Sequence, residues 1–344
     1  MVVLSTTMNK KLIVVTGGAG YLGSVLVPML LKAGYRVRVV DRFFFGTEPL
    51  DSVKERCELI EADTRWCPES VFAGAYGVID LAALANDALG ELDLQRTLEI
   101  NFQARVRTAA LAKKQGARRY IMASSCSVYG FQNDLIDESA TPAPITTYAT
   151  SNVLAEQGVF ALWDERFAVT ALRQGTLYGL SPRMRFDIVV NTMTLALERD
   201  HVIVVRGGEQ WRPHLHVADS AAAFLLVFRT PHEIVAGEIF NVAGHNFTVN
   251  NIAQQVQAAS GEGEISNDTT TSDTRSYRVR TEKIRALGFT PTHTPDYGSR
   301  EVLEGLRQGK LIPSTKTSTV DWYKQLLLAD PDILDRPFTS ATLI

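Results

Sequence analysis

The chain is poor in cysteine, in net charge and in long apolar runs, and each shortage removes a class of function. Its 344 residues hold three cysteines, Cys57, Cys67 and Cys126. None stands at CxxC spacing, so neither a disulfide framework nor a zinc site is expected, and the thiols read as reduced, in a cytoplasmic protein. The 35 Lys and Arg against 38 Asp and Glu give a net charge of -3, which argues against a nucleic-acid partner. No stretch approaches the ~20 apolar residues of a spanning helix. The best candidate, 25–31, is interrupted by Pro28 and soon meets Gly34, so no membrane partner is expected. The opening "MVVLSTTMNKK" lacks a basic segment followed by a long apolar run and does not read as a signal peptide. Residues 1–9 read as a loose tail. His214 and His216 have no third ligand at metal spacing, so no metal is expected.

What is present is enough apolar material for a large core: 45% hydrophobic against 21% charged residues. Short β-rich runs alternate with helical stretches. "KLIVVTG", "YRVRVVD", "CELIEAD", "YGVIDLAA", "RRYIMASS" and "VTALRQGTLYG" read as six strands. Helical patterns fall at "YLGSVLVPMLLKAG", at 94–115 and at 147–165. This alternation predicts a doubly wound α/β domain with a parallel sheet covered on both faces, whose ligands bind at the carboxyl ends of the strands. The domain is expected over 10–180, with segments of 201–245 returning to it. A smaller mixed lobe is expected over 181–330, packed across the mouth of the sheet, with a helix at 249–259. Within it "SGEGEISNDTTTSDTRSYRV" reads as a polar linker, "LIPSTKTSTVDWYKQ" as irregular, and 331–344 as a tail.

The first strand runs into "TGGAGYLGS". Gly17, Gly20 and Gly23 stand at G-x-x-G-x-x-G spacing between a strand and a helix. Gly17 and Gly18 permit a tight turn and close approach to a pyrophosphate. Gly23 lets the helix pack on the strand, and the helix N-terminus attracts the phosphates. Asp41 ends the second strand, 24 residues past Gly17. A carboxylate there accepts from ribose hydroxyls and repels a 2′-phosphate, so NAD is favoured; Arg42, next in sequence, keeps NADP open.

Taken with "EADTRW", "DLAALA", "INFQA", "SSCSVYG", "TYATSN", "LRQGTLYG", "WRPHLHVADSAAAF" and "DTRSYRVRTEKIRALGF", the loop resembles the extended short-chain dehydrogenase/reductase family, in its nucleotide-sugar epimerase/dehydratase branch. The resemblance runs to about Arg307. It implies a Rossmann-type fold, NAD, and a nucleoside-diphosphate sugar as substrate. It places Gly17, Gly20, Tyr21, Leu22, Gly23, Asp41 and Arg42 along the dinucleotide and Asp63 and Thr64 at the adenine. Leu81, Ala82, Ala83, Asn101 and Ser124 would stand near the cofactor. Tyr148 and Ser125 would be catalytic. Thr176, Arg185, Asn191, Arg212 and Arg275 would meet the substrate, arginine being suited to a diphosphate. The helices at 94–115 and 147–165 resemble a pair that forms a four-helix homodimer interface.

One position departs from the family pattern. A lysine is expected four residues after the catalytic tyrosine, and "TYATSN" has Asn152 there. That lysine lowers the tyrosine pKa and binds the nicotinamide ribose. Asn152 can hydrogen-bond the ribose but brings no charge. A second departure is Cys126–Ser127, where 4,6-dehydratases of the branch carry an acidic pair. A C4 epimerase working through a 4-keto sugar is therefore the leading expectation. A 4-ketosugar reductase or dehydrogenase is the alternative. So is altered chemistry, a 5-epimerisation or an elimination with Cys126 as acid/base.

Overall fold

The computed structural model describes residues 10–268, 275–336 and the backbone of 342–343. The expected loose segment 1–9 lies outside the described residues. Seven parallel strands form the central sheet: β1 (Leu12–Thr16), β2 (Arg36–Asp41), β3 (Glu58–Glu61), β4 (Ala75–Asp80), β5 (Arg119–Ser125), β6 (Ala168–Gln174) and β7 (Glu238–Val242). Their order is β7-β6-β5-β4-β1-β2-β3, and Thr342–Leu343 adds an antiparallel pairing beyond β3. The strand order reverses between β1 and β4. The strand ends diverge there and leave a crevice, as expected of a doubly wound sheet.

Side chains alternate across the strands because the β repeat is two residues. Ile13 and Val15 of β1 face one layer and Val14 the other. The first layer packs on α1 (Gly23–Lys32) and, later in the chain, Val217–Arg229, through Leu26, Leu30, Phe224, Val227 and Phe228. The second packs on α2 (Ala104–Lys114) and α3 (Thr147–Phe160) through Ala109, Ala112, Ala155 and Val159. Small residues let these two helices approach closely: a Cβ on Gly158 would lie 2.4 Å from a Val106 methyl. Ahead of α2 the helix begins at Leu94–Leu98 and widens into a π turn at Glu99–Gln103.

The lobe is built on Val190, Met193, Leu197, Ile203, Ile252 and Val256. They come from helices Val189–Asp200 and Val249–Ser260 and the strand Val202–Arg206. Three expectations change here. "VTALRQGTLYG" is two strands, not one. The chain leaves the central sheet at Gly175, and Thr176–Tyr178 joins Trp211–His216 and His245–Thr248 in a separate sheet. Gly175 allows the crossing, since a Cβ there would lie 2.8 Å from the Pro213 carbonyl oxygen. The expected polar linker contains two strands. Glu264–Asp268 pairs with Val202–Arg206, and Ser276–Val279 pairs with Phe131–Ile136. These two-stranded pairs show too little apolar alternation to announce themselves; residues 269–274, also in that stretch, lie outside the described residues. The expected irregular tail holds a helix, Thr319–Ala329, and a turn through 332–336 that packs on the first domain.

Candidate active site

A cleft of about 960 Å³ runs along the carboxyl ends of the strands and under the lobe. Its size suits a dinucleotide-binding enzyme. At one end the chain turns sharply from β1 into α1. Gly17 has φ +66°, and a Cβ on it would lie 2.8 Å from the Ala82 amide nitrogen. A Cβ on Gly23 would lie 2.5 Å from the Gly17 carbonyl oxygen. No side chain caps the N-terminus of α1, which leaves its dipole and amides to an anion. Asp41 accepts from Ala19 N–H at 3.0 Å and Phe43 N–H at 2.9 Å. Burial pushes its carboxyl up, and these bonds hold it back. Gly20, Tyr21, Leu22, Leu81, Ala82 and Ala83 line the same stretch. These features fit a dinucleotide.

Just after β3, Asp63 and Thr64 line the cleft. Asp63 is clasped by Arg65 at 3.0 Å and Arg42 at 2.6 Å. Arg42, read from the sequence as a possible phosphate ligand, also donates to the Ile333 carbonyl at 2.7 Å. Tyr323 and Leu334, in the stretch taken as irregular chain and tail, close this end.

The chemical end lies between β5 and α3. Thr146 caps α3, its hydroxyl accepting from Ala149 N–H at 3.1 Å and donating to Asp87 at 2.6 Å. Tyr148 sits in the first turn, opposite Gly90, where a Cβ would come within 3.0 Å of the tyrosine Cβ. Ser125 ends β5. Burial pushes the Tyr148 hydroxyl above its ordinary pKa. Against burial stand the charge of Arg105 and hydrogen bonds from Asn152 and Ser125, while Asp87 adds to the rise.

Several expected site residues stand behind the cleft wall. Asn152 is 1% exposed; its amide oxygen accepts from Arg105 at 3.2 Å and its nitrogen donates to the Tyr148 carbonyl at 3.0 Å. Both ends of the amide are thus used inside the protein rather than offered to a ribose. Asn101 holds the Leu84 amide and carbonyl at 2.8 and 3.1 Å, fixing the loop after β4. Asn191 accepts from Gly179 N–H at 3.0 Å and donates to the Tyr21 hydroxyl at 3.1 Å and the Arg185 carbonyl at 2.8 Å. Ser124 reaches the cleft, but its hydroxyl turns back to Glu156 at 2.5 Å. Cys126 is fully buried away from the cleft. Its thiol donates to the Arg173 carbonyl at 3.1 Å, and burial pushes it up. The structure thus corrects the acid/base expectation for Cys126, because a neutral thiol facing the core cannot exchange a proton with a substrate.

Thr176, Arg185, Arg212 and Arg275 line the far end. Arg185 is paired with Asp187 at 2.9 Å, and Arg275 with Asp87. Among the cleft residues that the sequence reading missed are Arg105 and His214. Arg105 interrupts the small and apolar face of its helix, which was its one visible signal. His214 was considered only as a metal ligand and set aside. It is 1% exposed, its Nδ1 lies 3.0 Å from the Arg212 carbonyl, and its Nε2 is buried without a partner. Burial lowers its pKa to about 4, so at neutral pH Nε2 is an acceptor at the cleft wall.

The model of the NAD dependent epimerase/dehydratase family matches residues 13–243. The human dTDP-D-glucose 4,6-dehydratase is 26% identical over 325 residues, covering 87% of this chain and 90% of that protein. A putative UDP-glucose 4-epimerase of Methanocaldococcus jannaschii is 24% identical and covers 86% of this chain and 98% of its own length. Among solved structures, MoeE5 in complex with UDP-glucose and NAD superposes with a TM-score of 0.77 at 25% identity. It covers 87% of this chain and 99% of MoeE5.

Proposed function

The chain belongs to the NAD-dependent epimerase/dehydratase family, and from that premise we propose that it is a nucleotide-sugar epimerase acting through a transient 4-keto sugar. The observation that carries the reading is the pairing of Tyr148 with Ser125 at the cleft, with no carboxylate following Ser125. Cys126 is buried, and Ser127 lines the cleft with a hydroxyl that has no partner. The carboxylate whose charge reaches Tyr148, Asp87, is held by Arg275 and Thr146. That set can move a hydroxyl proton but offers no second acid for eliminating water.

NAD, when bound, would supply a two-electron acceptor for the sugar carbon that is regenerated in each cycle. Gly17, Gly20, Tyr21, Leu22, Gly23, Asp41, Asp63, Thr64, Leu81, Ala82 and Ala83 would hold it. Ser125 orients the sugar hydroxyl, and Tyr148 takes its proton and later gives it back. Arg212 and Arg275 serve the diphosphate, and Thr176, Arg185 and His214 shape the sugar end. Asn101, Asn191 and Asn152 act from behind by fixing these groups. A homodimer through 94–114 and 147–160 and a cytoplasmic location complete the reading, the former checked by light scattering.

The test is proton NMR of UDP- and dTDP-hexoses incubated with the NAD-loaded protein. Inversion at C4 without net change in nicotinamide absorbance is expected. Stoichiometric consumption of NADH with a 4-ketosugar would point instead to a reductase. Release of carbon dioxide from a uronic acid substrate would point to a decarboxylase.

A further inference from the structure

Tyr148 needs help to become basic. A free tyrosine titrates near ~10, burial moves it higher, and position 152 carries no charge. Among the described residues no lysine lines the cleft. Of the other arginines that do, Arg42 and Arg65 are occupied at the adenosine end, Arg185, Arg206 and Arg275 have carboxylate partners, Arg183 donates to the Thr319 hydroxyl at 2.9 Å, and Arg212 donates to the Trp211 carbonyl at 2.9 Å.

Arg105 is placed differently. It begins the helix beside α3, in the first turn of α2, and reaches across to the Tyr148 turn. Its side chain is 3% exposed. It is fixed on three sides, donating to the Ala123 carbonyl at 2.7 Å, the Ala82 carbonyl at 3.4 Å and Asn152 Oδ1 at 3.2 Å. The two carbonyls belong to the ends of β5 and the loop after β4, which flank the chemical end of the cleft. The Asn152 amide joins the guanidinium to the Tyr148 turn, since its nitrogen holds the Tyr148 carbonyl. A lysine at 152 would be an unneeded like charge beside this guanidinium, and asparagine is an acceptor it can use.

We propose that Arg105 is the cation that serves Tyr148, replacing the charge absent at position 152, with Asn152 as the bracket that joins its guanidinium to the tyrosine's helix. Arg105 is a positioning residue here, acting through Tyr148. Asp80 lies 3.8 Å from Arg105 Nε, but it already accepts hydroxyls from Thr16 and Tyr120. Asp87 opposes phenolate formation and is paired with Arg275. Glu91 is taken up by the Thr147 amide at 2.8 Å.

The inference rests on Tyr148 being the proton acceptor, and its test is independent of turnover. The phenolate absorbance of the NAD-loaded protein is titrated against Tyr148→Phe as blank, which isolates one tyrosine of 10. In Arg105→Met the midpoint should rise by at least about one pH unit, a tenfold loss of phenolate. Arg105→Lys should stay near the native midpoint, and Asn152→Lys added to Arg105→Met should bring it back. The acid limb of the kcat profile should move in parallel. An unmoved midpoint in Arg105→Met, or no recovery in the double variant, overturns the proposal and leaves Arg105 as a structural counter-ion of Asp80. Should Arg105→Met fail to fold, Asn152→Ala removes only the bracket, and an unmoved midpoint there overturns it equally. A shifted midpoint in a protein that turns over no sugar nucleotide would sink the proposed function and leave this inference standing.

Discussion

Arg42 and Ile333 are hydrogen-bonded across 291 positions of sequence, the guanidinium donating to the carbonyl oxygen at 2.7 Å. The contact is one of several by which the C-terminal segment reaches the cofactor domain. Arg65 donates to the Leu334 carbonyl, Arg96 to Asp335 at 3.1 Å, and Trp322 Nε1 to the Phe44 carbonyl at 2.7 Å. Thr319, Tyr323 and Leu334 form part of the cleft wall. The segment therefore walls the end of the cleft that Asp63 and Thr64 line. Truncation after Ser318 is expected to weaken NAD binding about tenfold, near 1.4 kcal/mol, as read by isothermal titration. Unchanged affinity in a folded truncation would show that the wall does not touch the cofactor.

Tyr148→Phe should lower kcat by about 100-fold or more while NAD still binds, because the ring lines the cleft and the proposed function gives the proton transfer to the hydroxyl. Ser125→Ala should fall in the same direction, to a smaller extent. Stopped assays over the same substrate panel give the comparison. Tyr148→Phe retaining native turnover would remove Tyr148 from the chemistry.

Gly17→Ala is expected to cost about 1–3 kcal/mol of stability and to abolish NAD retention. The backbone there has φ +66°, and the added methyl meets the Ala82 amide. Thermal melts with and without NAD separate the two effects. Gly34 is the control: it too has positive φ, +92°, but a Cβ would meet nothing within 4 Å, so an alanine there should leave NAD binding intact.

His214 makes stability depend on pH. Its folded pKa is lowered from 6.5 to about 4 by burial. Between those values the unfolded chain binds the proton and the folded one does not. Stability is therefore complete above the unfolded value and is lost as pH falls from 6.5 toward 4, by up to about 3 kcal/mol. His214→Phe should flatten that part of a denaturant-derived stability profile. An identical slope in the variant would assign it to other groups.

The central sheet was readable in advance because each of its buried strands is a continuous apolar run between turn signals, as in "KLIVVTG". The glycine loop was readable because its spacing answers to steric limits that act within a few residues. The strands at 264–268 and 276–279 were not, since each borrows its order from a partner far along the chain. The helix over 319–329 was passed over for the same reason. What it packs on, around Phe44, lies on the opposite side of the sequence.

The active site divides along the same line. Residue type and spacing alone set the parallel sheet and the glycine loop, because these depend on local conformation, whereas Ser125 and Tyr148 were named together only through the resemblance to a family that shares this strand-end geometry. Which polar groups face the cleft was decided only by packing. Cys126 and Asn152 turn inward because neighbouring carbonyls and a guanidinium satisfy them there. Arg105 turns toward Asn152 because the loop after β4 and the end of β5 supply the carbonyls that hold its buried charge. A buried charge takes the place where partners meet it, and those partners come together only when the sheet and both helices have assembled.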